Sequence, residues 1–239
     1  MASPENTVTL HTVRQLCLLP LMLACALLVS CGGATPEEHV AEARRILDES
    51  QDEYALVRMQ ERRRAISELK KALQKDGGNV EASILLGKTL YDVGSLEDAD
   101  RWLEKAMELG ANVAEVIPMR AELLLITGEL DKLDSLPFDG LTPEGRSIVQ
   151  AAKAVSMLEQ DKPELALETL DAAFGNEPHS PFAEVAAARI AMGIEGYDAA
   201  HERLEEIVLR FPEYAPAWSL LGDVQSARGQ AAAALKAYE

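Results

Sequence analysis

Small residues return along this chain at the interval of one structural unit. Counting back from Gly222, one slot is filled by Ala188, Ala154, Ala121 and Gly87, at spacings of 34, 34, 33 and 34 residues. A second slot, twelve residues after the first, holds Ala99, Ala166, Ala200 and Ala234, with Ala65 one repeat earlier. Four positions beyond it stand Leu69, Leu103, Leu170, Leu204 and Tyr238. Residues four apart share a helix face. A Gly or Ala there lets two helix backbones approach, and the larger residue one turn later fills the space beside them. A unit of this length cannot bury its apolar face alone, so neighbouring units must stack. Aromatics make up only 5% of the chain while Ala, Leu and Glu dominate, which favours helix over strand. The expected fold is all-α, a right-handed α-solenoid of about six helix-turn-helix repeats over residues 36–239, the last repeat incomplete.

Punctuation supports this division. Thr35-Pro36-Glu37-Glu38 reads as an N-cap, a Pro at the first helical position and a capping box. Thr142-Pro143 opens another helix, and Asp161-Lys162-Pro163-Glu164 offers an Asp cap. Gly94, Gly128 and Gly229 fall at one repeat position, where a left-handed residue is wanted between the paired helices. Pro178 and Pro212, 34 apart, end pairs. Two places depart from the pattern. In the first pair about ten extra residues, 53–62, either lengthen the helices or form a charged loop. In the third, Leu133 takes the small-residue slot and Pro137 cuts the second helix short.

The N-terminus reads as an address. Residues 16–29 form an apolar run broken by Pro20 and preceded by Arg14, too short to span a bilayer comfortably. It ends in Leu28-Val29-Ser30-Cys31-Gly32-Gly33, which resembles the lipobox of bacterial lipoproteins. The resemblance implies a signal peptide over 1–30, diacylglycerol on the Cys31 thiol and cleavage before it, with 31–35 as tether. Gly32, being other than Asp, resembles the outer-membrane sorting signal. Four tether residues reach about 14 Å, so the folded part is expected close to the bilayer. The three cysteines, 17, 25 and 31, all lie in this segment, which leaves none for a disulfide or metal site in the body.

Trp218-x-x-Leu221-Gly222, with Ala234 and Tyr238 at the second-helix spacing, resembles the tetratricopeptide (TPR) repeat. A finer resemblance joins the lipobox to Pro36-Glu37-Glu38-His39, the run Ala65-Ile66-Ser67-Glu68-Leu69-Lys70-Lys71-Ala72-Leu73-Gln74-Lys75-Asp76, Glu81-Ala82 and Leu85-Leu86-Gly87. Glu108-Leu109-Gly110-Ala111, Ala114-Glu115-Val116 and the Leu136-Pro137 break before Thr142-Pro143-Glu144 extend it. Together these resemble the PEP-CTERM system TPR-repeat lipoproteins, the PrsT family, over essentially the whole mature chain. The likeness implies a Gram-negative envelope protein associated with exosortase sorting and exopolysaccharide production, with no catalytic residues to carry over. The chain departs from the family in its insertion near Glu53 and in Gly77-Gly78, where Pro-Asn is commoner. It is also shorter than such proteins, from which a fragment of a longer protein is expected, with Trp218, Leu221, Leu235 and Tyr238 incompletely covered.

Chemistry-bearing patterns fail on context. Leu86-Gly87-Lys88-Thr89 ends like a phosphate loop, but Ala82 stands where the first Gly is needed and the stretch reads as helix. His201-Glu202 begins like a zinc-protease helix, yet Glu205 stands where the second His belongs. Arg62-Arg63-Arg64 reads as helix surface paired with Glu61 and Glu68 rather than as lipid contact. A formal charge of −17 repels phosphate backbones, so no nucleic acid is expected. Nor is any cofactor, metal, enzymatic activity or small-molecule substrate.

In TPR solenoids the concave face is built from first helices. Mapped onto this sequence, the groove positions are Ile84, Lys88 and Tyr91, then Glu122 and Leu125, then Val155 and Leu158, and finally Phe182, Val185, Arg189 and Met192. A mostly apolar groove suits an extended or helical apolar peptide; the alternative is that these side chains pack against adjacent turns. The functional expectation is a scaffold or adaptor, lipid-anchored on the periplasmic face of the outer membrane and binding envelope proteins in exopolysaccharide export or protein sorting. The alternatives are an assembly factor for outer-membrane protein insertion or pilus secretion, and, from a different class, an envelope hydrolase.

Overall fold

A computed structural model describes residues 33–50 and 55–238, and in these it is all-helical. Cys31 and the signal segment lie outside the described residues. Among the described residues twelve helices form six consecutive pairs. They are α1 (Pro36–Glu49) with α2 (Ala55–Lys75), α3 (Val80–Asp92) with α4 (Leu96–Glu108), α5 (Val113–Thr127) with α6 (Leu130–Asp134), α7 (Pro143–Glu159) with α8 (Pro163–Asn176), α9 (Pro181–Ile194) with α10 (Tyr197–Arg210), and α11 (Ala215–Ala227) with α12 (Ala231–Tyr238). The first helices α5, α7 and α9 lie against one another, while second helices pack between their own first helix and the next. First helices therefore form one layer and second helices the other.

The small-residue slots mark where paired backbones meet. A Cβ on Gly87 would lie 2.7 Å from Leu103 Cγ and 3.3 Å from the Ala99 carbonyl oxygen, so α3 and α4 touch through the two slots that define the repeat. At Gly222 the Tyr238 ring occupies the corresponding place. Ala121, Ala154 and Ala188 are fully buried, as are Ala65, Ala99, Ala166 and Ala200. The core runs along the stack in overlapping clusters, with Leu125 and Phe182 packed against both the cluster of the third and fourth pairs and that of the fourth and fifth.

Capping follows the expected chemistry in most places. Thr35 and Glu38 make the full capping box, with bonds of 2.7 and 3.2 Å, and the Gly145 N–H donates to Thr142 Oγ1 at 3.1 Å. Asn79, Asn112 and Ser180 cap α3, α5 and α9 without having been foreseen. Asp161 is a correction. It does not cap α8, whose N-cap is Lys162 without a side-chain bond; it adopts φ 60° in the turn between α7 and α8. That is the left-handed position held by Gly94, Gly128 and Gly229, and a short polar side chain is among the few that tolerate it.

The irregular pairs resolve physically. The extra residues of the first pair lengthen α2 to 21 residues, while α1, at 14, matches its counterparts; residues 51–54 lie outside the described residues. The third pair's second helix is only the five-residue α6, as Pro137 requires, with Leu133 fully buried. Arg64 pairs with Glu61 at 2.6 Å, but Glu68 serves His39 and Lys71 rather than the arginines, and Arg62 reaches Asp92 of α3 at 3.3 Å. Leu221 is buried rather than uncovered, whereas Leu235 and Tyr238 are exposed. Among the described residues no helix is long and apolar enough to cross a membrane.

Candidate protein-binding groove

Side chains far apart in sequence converge where the layer of first helices curls. Tyr91 comes from α3, Glu122, Leu125 and Ile126 from α5, Val155 from α7, and Phe182, Val185, Ala186 and Arg189 from α9, with Tyr214 and Pro216 at the start of α11. They line a narrow cleft of about 500 Å³ including its mouth. Five consecutive pairs contribute, all through first helices or the turn that leads into one. Spacing explains which residues align: Ile126 lies one helical turn beyond Glu122, and Ala186 and Arg189 one and two turns beyond Phe182. The walls are apolar, and Ile126 is more than half exposed, at 56%.

Seven of the eleven residues read from sequence meet at this cleft: Tyr91, Glu122, Leu125, Val155, Phe182, Val185 and Arg189. Four do not. Ile84 is buried in the core of the first two pairs. Lys88 pairs with Glu115 at 2.8 Å and borders a separate depression with Arg62 and Asp92. Leu158 packs into the fourth and fifth pairs, its Cδ2 close over Gly193, and Met192 packs against the core of the last two pairs. Ile126, Ala186, Tyr214 and Pro216 were missed. The first two follow from the i+4 rule applied to Glu122 and Phe182. Tyr214 precedes its helix, where positions counted along a helix do not reach, whereas Pro216 stands 34 residues after Phe182, so the repeat spacing carried one pair further gives it.

Electrostatics distinguishes the cleft from an ordinary apolar seam. Burial pushes the Glu122 carboxyl up to about 7, and the nearby Tyr91 hydroxyl only partly offsets that. Tyr91 is itself pushed up, first by burial and then by the charges of Glu122 and Asp92. Tyr214 is pushed up by burial and then by Glu122 and Tyr91, so the three groups face one another across the solenoid. Arg189 is exposed at the rim. A wider, more open depression at the last pair is bordered by Trp218, Ser219, Lys236 and Tyr238, but no set of groups from distant repeats converges there.

The remaining motifs find structural places. Gly87 and Thr89 lie within α3, where the Thr89 hydroxyl donates back to the Leu85 carbonyl at 2.7 Å, so no phosphate loop forms. His201 stands 3.7 Å from Glu205 on α10. Among the described residues no group of three His, Cys, Asp or Glu is placed to hold a metal.

Residues 56–123 and 185–239 each match a model of the tetratricopeptide repeat. The chain is a tetratricopeptide-repeat protein. TPR proteins are in general non-catalytic scaffolds that bind other proteins or peptides. A crystal structure of a TPR protein from Parabacteroides merdae is similar at 17% identity and a TM-score of 0.54, over 86% of this chain and 78% of that one. Pseudomonas aeruginosa pilF is similar at 19% and 0.53, over 84% and 90%. PilW, a widely conserved type IV pilus biogenesis factor, is similar at 19% and 0.52, over 82% and 90%. At these identities the likeness concerns the TPR architecture alone. No curated protein matches the chain.

Proposed function

We propose that this TPR protein is a membrane-anchored adaptor whose cleft between first helices receives an extended segment of another envelope protein. The observation that carries the reading is the convergence of five repeats on one apolar cleft that remains open to solvent through Ile126. A concave apolar cleft with a few convergent polar groups is the kind of surface a ligand or partner segment covers. The anchor is Cys31, supported by the apolar run ending in Val29-Ser30-Cys31-Gly32, and the non-Asp residue after it favours the outer membrane. The resemblance to the PrsT lipoproteins supports a setting in exopolysaccharide export or exosortase-linked sorting.

The test is site-specific photocrosslinking of the native lipoprotein in membranes. A crosslinker replacing Ile126 captures a defined protein, and one replacing exposed Leu167 on the outer helix α8 does not. The same bands from both positions would remove the groove as the binding site.

A further inference from the structure

Other carboxylates withdrawn wholly or partly from solvent are answered by cations of the chain itself. Asp100 has Arg120 at 2.7 Å and Lys132 at 3.7 Å, Glu68 has His39 and Lys71, and Glu184 has Arg210 at 2.8 Å. Glu122 is different. Among the described residues no cation forms an ion pair with its carboxyl, which lies half-buried in the cleft beside Tyr91. A desolvated carboxyl without a counter-charge is costly, so such a group is expected to find a partner or give up its charge. Around it stand the rings of Tyr91 and Tyr214, whose faces attract cations. The net charge of −17 draws positively charged segments toward the surface.

Shape narrows the occupant. A helix of about 10 Å diameter does not enter so narrow a cleft, whereas the end of a single side chain of an extended segment reaches into it. Lysine and arginine combine a cationic head with an apolar stem, which matches a single carboxyl set among Ile126, Val155 and Phe182. The internal rival is Arg189, which lines the same cleft from α9.

We propose that Glu122 is the receptor for one lysine or arginine side chain of an extended partner segment, with the cationic head between Tyr91 and Tyr214. The stem and an adjacent apolar side chain lie against Ile126, Val155 and Phe182. This assignment rests on the cleft being the partner site. Occupancy replaces the missing counter-charge and expels the proton that Glu122 otherwise holds near neutrality.

Three pools of blocked decapeptides test it on the full chain. They are randomised except for a central Leu-Lys, Leu-norleucine or Leu-Glu pair. The Leu-Lys pool binds at least tenfold more tightly than the norleucine pool, and Glu122→Gln erases that preference while leaving norleucine binding within twofold. Carboxyl-carbon NMR of the unsubstituted chain shows the Glu122 titration moving to lower pH with the Leu-Lys pool. Arg189→Met retains or strengthens the preference by removing the rival. Equal binding of the Lys and norleucine pools, or a Leu-Glu preference lost in Arg189→Met, overturns the cation assignment and leaves the groove standing. Absence of binding by every pool, or binding indifferent to Ile126→Glu, overturns the groove itself and the assignment with it.

Discussion

Gly87 and Glu122 show how differently one residue can matter in a repeated fold. At Gly87 the constraint is space: Leu103 Cγ and the Ala99 carbonyl leave no room for a larger side chain. Gly87→Leu is expected to destabilise by about 1–3 kcal/mol through overpacking, whereas Glu202→Ala, on the exposed face of α10, changes little. Urea denaturation of both variants reads the difference, and equal effects would contradict the register. At Glu122 the constraint is solvation. The folded carboxyl keeps its proton up to about 7, against 4.5 for an ordinary glutamate, so between those values the fold binds more protons than the unfolded chain. Its contribution to stability therefore falls as pH rises through that window. The full loss is at most about 3 kcal/mol, less to the extent that water screens a partly exposed side chain. Tyr91, Tyr214 and Arg189 line the same cleft, and burial raises both tyrosines, so neither phenol changes charge in this window. Glu122→Gln lacks the charge, matches the unsubstituted protein near pH 5 and exceeds it near pH 8. An unchanged difference at the two values in urea melts would show that the carboxyl is not desolvated. The slot was legible in sequence because spacing records it; the solvation of Glu122 was not, since it depends on α3 and α11 closing over α5.

The third pair shows what happens when an element is lost. With α6 only five residues long, carbonyls at its end lack intrahelical partners. Lys153 of α7 supplies them: its Nζ donates to the Asp134 carbonyl at 2.9 Å and the Leu136 carbonyl at 3.2 Å, and sits 4.5 Å from the centre of the Phe138 ring. Burial pushes this lysine's pKa down while Asp134 pulls it up. Arg120 of α5, buried against Asp100 and 3.3 Å from Glu104, ties α5 back to α4. Arg120→Met is expected to cost about 3–5 kcal/mol, because Asp100 is left buried without its principal partner. Lys153→Met costs about 1–3 kcal/mol by stranding two carbonyls. Thermal or urea unfolding checks both, and a loss at Arg120 no larger than at an exposed pair such as Arg45–Glu42 would show that the cluster is solvated. Pro137 made the short helix readable in advance. The lysine that repairs it was not, because nothing in the spacing of residues 134 and 153 says that they meet.

For the whole molecule, the proposed anchor and the solenoid are separable by mutation. Cys31→Ser removes the thiol that would carry the lipid; an unprocessed precursor without acyl label is expected, with TPR helicity by circular dichroism unchanged. A mature, membrane-partitioning Cys31→Ser protein would refute the lipid anchor. The sequence by itself determined the repeat length, the helix pairing, the small slots through which paired backbones touch, the caps at Thr35 and Thr142 and the short helix α6. Each of these is a local or nearest-neighbour property, fixed by which residue stands four, twelve or 34 positions from another. Only the tertiary structure decided that seven of the eleven mapped groove residues share one cleft while Ile84, Lys88, Leu158 and Met192 turn elsewhere. Tyr214 joins Tyr91 across more than a hundred residues in the same way. The small rotation between successive pairs accumulates along the stack, so which distant side chains meet depends on the sum of all the packing angles and on none of the spacings taken alone.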